Sequence, residues 1–227
     1  LSHDAKNAKS TKLLMLIQTK ANWLISVGLL TLSFIPISAG IFRLVQLGFG
    51  AAITEENARF FAAPLPVVLH IVGSCLFCCL GAVQFSCVFR REQLNLHRLF
   101  GRLLIPIGLT VSISGLWMTL YYPRATLNYD GPVLHVVRIL VGLGMSLSLV
   151  FGLIAARRQK IANHRAWMTR AFALGLGAGT QVFTHIPMFV FPSLWSETSR
   201  AISMIAGWGI NIAVAEWLLL RNRRGPH

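Results

Sequence analysis

The sequence predicts an all-α, polytopic membrane protein with six transmembrane helices, the second to fifth forming a pseudo-twofold four-helix core. Three observations carry this. The chain of 227 residues is 55% hydrophobic and only 12% charged, with a mean hydropathy of +0.63, far from the balance of a soluble domain. Its apolar residues fall into six runs, each near the ~20 residues that cross ~30 Å of hydrocarbon. A motif also occurs twice: Leu69-His70-Ile71-Val72, Arg90-Arg91 and Leu96-His97-Arg98 return as Leu134-His135-Val136-Val137, Arg157-Arg158 and Asn163-His164-Arg165. That is one helical hairpin used twice.

Residues 1–22 form a lysine-bearing N-terminal segment, in which Leu13, Leu14, Leu16 and Ile17 beside Lys12 and Lys20 suggest a short surface helix over 10–21. The first run, about 23–42, follows those lysines and ends Ser38-Ala39-Gly40 like a signal peptide, but it is longer than a signal core and reads as a retained helix. The membrane domain extends from 23 to 220, with repeat halves at about 65–121 and 133–191. The second and third runs, about 65–89 and 99–121, are joined by the Arg90-Arg91 turn, and Pro106 should kink the third. Asn128-Tyr129-Asp130-Gly131-Pro132 is the clearest turn, with Pro132 opening the fourth run at about 133–156. The fifth, about 167–191, and the sixth, about 201–220, lead to a basic tail at 221–227. Trp23, Trp117, Tyr121, Tyr122, Trp167, Trp195 and Trp217 mark run ends in the manner of interfacial belts.

Basic residues set the orientation. Of the 21, 16 lie in the N-terminal segment, around the Arg90-Arg91 and Arg157-Arg158 turns and in the tail, while Arg43, Arg59, Arg124, Arg138 and Arg200 lie on the other face with Glu55, Glu56, Asp130 and Glu197. Both termini are therefore expected in the cytoplasm. The formal charge of +14 reads as topology and attraction to anionic lipid, not as a nucleic-acid surface.

Histidines within membrane spans point to function. The hairpin duplication pairs His70 with His135 near the outer surface and His97 with His164 near the inner one. Each pair suits axial ligation of a haem, another metal, or a proton relay, and a hydrogen bond to a backbone carbonyl is the plain alternative. Arg43 and Arg138 are placed to neutralise propionates at the outer level, and Arg102 and Arg170 at the inner level. Arg102 and Arg170 are expected to face the bundle, where one or both should pair with Glu216. Gly81, Gly108, Gly142, Gly144, Gly175, Gly177 and Gly179 give room for a flat cofactor or for close helix packing. Cys75, Cys78, Cys79 and Cys87 share one run and read as packing residues with no disulfide. A third outer histidine, His185, raises an open zinc site with His70 and His135 as the rival chemistry. His3 and His227 read as solvated ends.

Leu69-His70 through Val83-Gln84-Phe85, His97-Arg98-x-x-Gly101-Arg102, His164-Arg165-x-Trp167-Met168-x-Arg170 and Asn211-x-x-Val214-Ala215-Glu216-Trp217-Leu218 together resemble a bacterial membrane family, domain of unknown function 2306. The likeness covers about residues 64–221. It implies the fold and a bacterial inner membrane, and no activity. A looser architectural similarity, to two-haem transmembrane cytochromes b and ferric reductases, implies histidines pairing across the bundle, here His70 with His135 and His97 with His164. The two layers would stand ~25–30 Å apart at 1.5 Å per residue, which is wide for two haems in one bundle.

The sequence therefore favours a protein binding one or two b-type haems and moving electrons across or along the membrane to a quinone, metal ion or partner protein. Two other readings stay open. One is a non-catalytic subunit or small-molecule carrier, and the other a zinc-dependent hydrolase, which would want an acid that no span's outer half supplies.

Overall fold

A computed structural model describes residues 2–86, 89, 92–124 and 129–224, with side chains from residue 23 onward to 221. The expectations for Cys87, Arg90-Arg91, Asn128 and His227 lie outside the described residues, as does the side chain of His3. Within the described residues the chain is helical: α1 Ser2–Phe49, α2 Ala58–Ala62, α3 Pro64–Gln84, α4 Leu94–Tyr121, α5 Pro132–Arg157, α6 Ile161–Gly175, α7 Gly177–Thr184, α8 Ile186–Val190 and α9 Glu197–Arg224, with one 3-10 turn at Pro192–Leu194. Five of these carry stretches long and apolar enough to cross a bilayer: Trp23–Phe49, Pro64–Gln84, Leu94–Tyr121, Pro132–Arg157 and Glu197–Arg221.

Two expectations need correction. The surface helix expected over 10–21 is not separate, because α1 runs unbroken from Ser2 to Phe49 through Pro36 and stops at Gly50, whose φ of +70° suits glycine. The expected fifth span is not one rod either. It is divided into α6, α7 and α8, with interruptions at Leu176 and His185. Glycines at 175, 177 and 179 lower helix propensity around the first interruption, and Pro187 favours a fresh start after the second. The segment is held by packing instead. A Cβ on Gly177 would lie 2.1 Å from the Trp208 indole nitrogen, and one on Gly179 would lie 2.4 Å from the Leu32 carbonyl oxygen. Buried, protein-covered backbone is where a break in a membrane helix is tolerated. Pro106 leaves α4 continuous.

The repeat forms the core. Hairpins α3–α4 and α5–α6 pack against each other, α1 lies along α3, and α9 lies along α6 and α7. Phe77, Leu104, Val111, Met145, Leu149 and Phe172 are buried at the centre. Gly108 and Gly175, each eleven residues after the second histidine of its repeat, both receive the Phe77 ring: Cβ atoms there would stand 2.7 and 2.8 Å from it. Gly81 receives Phe172 in the same way. These three glycines serve close packing, not a flat cofactor. Small polar residues make the α1 contact, where the buried Ser26 hydroxyl donates to the Ala82 carbonyl at 2.9 Å.

Candidate functional site

The two ends of the bundle differ in chemistry. At one end, the turn before α5 carries Asp130, whose side chain is only 7% exposed and meets Arg138 at 3.0 Å, Arg200 at 3.4 Å and Arg59 at 3.7 Å. Arg59 and Arg43 also sit over the Phe60 ring, 4.9 and 5.0 Å from its centre, and Arg43 donates to the Gln46 amide oxygen at 2.8 Å. Four of the five basic residues expected on this face thus converge on one carboxylate and one aromatic ring. Burial pushes Arg59 below the ordinary arginine value, with Asp130 acting against the shift and Arg138 with it, and the group remains a cation. The Tyr122 hydroxyl donates to the Ala63 carbonyl at 2.6 Å and fastens α2 to the end of α4.

Below this cluster lies a cavity of about 440 Å³, in the size class of small-molecule sites. Arg59, Phe60, Tyr122 and Arg138 line its Asp130 end, and Met145, Gly175, Gly179, Gln181 and Trp208 line its depth. His70 stands between them. Its Nδ1 meets the Val111 carbonyl at 2.9 Å and the Ser114 hydroxyl at 3.3 Å, so Nε2 is the ring nitrogen left for the cavity. Such tethering of one ring nitrogen to a carbonyl is the usual second contact of a metal-bound imidazole.

The cavity does not include His135. That residue lines an adjoining space of about 30 Å³, together with Arg59, Arg124, Asp130 and Arg138. The reason is register. A Cβ on Gly115 would lie 3.2 Å from the His70 ring, and one on Gly142 would lie 2.7 Å from Leu116, so His70 and Gly142 flank the same turn of α4. His135 is seven residues before Gly142, two turns or ~10 Å further out. His185 is turned elsewhere: its Nδ1 meets the Gln181 carbonyl at 2.7 Å and its ring lies beside Trp195. Among the described residues, no three His, Cys, Asp or Glu side chains gather into a metal-sized group, so His70, His135 and His185 do not assemble the expected zinc site.

At the other end lie His97 and His164. His164 joins its hairpin partner through Nδ1 and the Gly152 carbonyl at 2.9 Å, while the backbone carbonyl of His97 accepts from Gln84 at 3.3 Å. Neither lines the cavity. The expected Glu216 contact is present: Arg170 grips its carboxylate with two nitrogens, one at 2.9 Å, and lies over the Trp167 ring. Arg102 departs from expectation. It is exposed, and a Cβ on the adjacent Gly101 would meet nothing within 4 Å, so this face of α4 turns away from the bundle.

Sequence reasoning missed Asp130, Arg59 and Arg200 as site residues. The available signal was scarcity: with seven acids in the chain, a carboxylate in a tight turn on a face with five arginines has few alternatives. Cys75 and Cys78 line the cavity as free thiols.

No curated protein and no protein of solved structure matches the chain significantly. A family model does, from three residues before His70 to three after Glu216. By that match over residues 67–219, which takes in His70, Asp130 and the Glu216 pair, the chain belongs to the family described as predicted membrane protein (DUF2306).

Proposed function

We propose that this protein binds b-type haem in the cavity at the Asp130 end and passes electrons to a quinone, a metal ion or a partner protein. His70 carries the reading. It brings a carbonyl-tethered imidazole to a cavity of suitable size, inside a bundle otherwise built of apolar and small residues. Arg59 and Arg138 at the cavity's end supply the forks that acidic side groups of a macrocycle require. The same reading sets the protein in a bacterial inner membrane with six crossings, α6 to α8 together making the fifth. Both termini then face the cytoplasm and Asp130 the far side.

Absorption spectra of the purified protein, oxidised and then reduced, test this. A Soret band that His70→Ala abolishes and His164→Ala preserves is the expected result. Protein produced with ample haem that carries no Soret band refutes it.

The second reading, a non-catalytic carrier of a small apolar molecule, is favoured by the dispersal of the four repeat histidines. Native mass spectrometry that finds an organic ligand lacking iron in the cavity would select it.

A further inference from the structure

Resting on the haem reading above, we infer that His70 is the sole protein ligand to the iron. The opposite face is then a binding site for a small neutral π-acceptor such as carbon monoxide, nitric oxide or dioxygen. The register of α5 makes the case. His70 packs on Gly115 and Gly142 on the neighbouring Leu116, so at the level of His70 the cavity-lining residue of α5 is a glycine. The repeat's own candidate for the second ligand, His135, lies two turns further out and lines the adjoining space instead.

That register cannot slip by two turns. Arg138, one turn after His135, is fixed to Asp130 at 3.0 Å. Leu134, immediately before His135, is fully buried. Gly131 lies so close to Glu197 that a Cβ would stand 2.6 Å from its carboxylate oxygen. The start of α5 is therefore pinned from three sides.

Of the other soft side chains lining the cavity, Cys75 and Cys78 lie on α3 with His70 itself, five and eight residues further along, Met118 lies on α4, Met204 on α9, and Met145 is the one on α5. It is 4% exposed within the central cluster, and its methyl group packs 3.5 Å from where a Gly175 Cβ would be. Holding it there serves the core. Polar partners for a small bound molecule are nevertheless at hand: Ser112 lines the cavity and accepts from the Ser146 hydroxyl at 2.8 Å, and Gln181 lines it too. An iron held by one imidazole takes such a molecule by forming one coordinate bond and breaking none, provided that it is reduced, and the surrounding pocket decides which molecule is kept.

The experiment uses the full-length, haem-loaded protein in detergent, reduced with dithionite and titrated with carbon monoxide. The expected result is a five-coordinate, high-spin ferrous spectrum that converts completely to the carbon monoxide form at micromolar gas. His135→Ala should leave both spectra unchanged. His70→Gly should lose the haem and regain it with millimolar imidazole, which separates loss of the ligand from loss of the fold. A protein that retains no haem overturns the haem reading and this inference with it. Haem that is bound but low-spin and six-coordinate overturns this inference alone. Conversion of such a spectrum to high-spin by His135→Ala or Met145→Leu then names the second ligand.

Discussion

Replacing Asp130 with Asn should destabilise the protein more than any other single charge change at that end of the bundle. The carboxylate is 7% exposed and is the shared partner of Arg138, Arg200 and Arg59 at 3.0, 3.4 and 3.7 Å. Removing it leaves guanidinium groups from three helices facing one another. Loss of one partner of a buried pair costs about 3–5 kcal/mol. The arginines are 17–28% exposed and partly solvated, which argues for the lower part of that range. At ~3 kcal/mol, a chain of this length should lose roughly 6–12 °C in Tm. Thermal unfolding in detergent, followed by circular dichroism, reads this directly. A double-mutant cycle with Arg138→Gln isolates the pair, since coupled neighbours are non-additive by 0.5–3 kcal/mol or so. A loss below about 2 °C, or strict additivity in the cycle, would refute the idea that Asp130 ties α2, α5 and α9 together.

Glu216→Gln should cost less, about 1 kcal/mol, because Glu216 is 38% exposed and its pair with Arg170 is partly screened; thermal unfolding of the two variants side by side should rank them in that order. Gly177→Ala should destabilise by about 1–3 kcal/mol through its clash with Trp208, whereas Gly101→Ala, with open space around it, should be neutral or slightly stabilising in the same assay. Impermeant thiol reagents should label a cysteine placed at Tyr129 only from the outside of intact cells and one placed at Gln159 only after lysis; the reverse pattern would invert the orientation.

Much of the fold was legible in the sequence, because apolar runs, basic turns and a duplicated motif are local or periodic signals. The Glu216–Arg170 contact was legible too, since a carboxylate near a span end requires a cation at similar depth. The division of the expected fifth span was less so. Its glycines were visible, but hydropathy does not register a break that is stabilised by Trp208 and Leu32 from distant helices. The pairing of His70 with His135 fails for a related reason. Sequence repeats preserve spacing along the chain, whereas helices facing each other are registered by what packs between them, here Leu116 and the ring of His70 itself. Asp130 escaped notice because its partners come from three elements separated by up to 141 residues, from Arg59 to Arg200.

The single ring clasped by Gly108 and Gly175 also shows how far the two copies of the hairpin have diverged. Counting 65 residues on from Phe77, as from His70 to His135, leads to Gly142. One copy of the hairpin therefore supplies a phenyl ring at the midline, and the other supplies bare backbone against which Leu116 packs. Gly142 lines the cavity, whereas Phe77 fills the core between Gly108 and Gly175. The two halves are thus no longer interchangeable: a ring placed at Gly142 would run into Leu116, and Phe77→Gly would leave a void between Gly108 and Gly175.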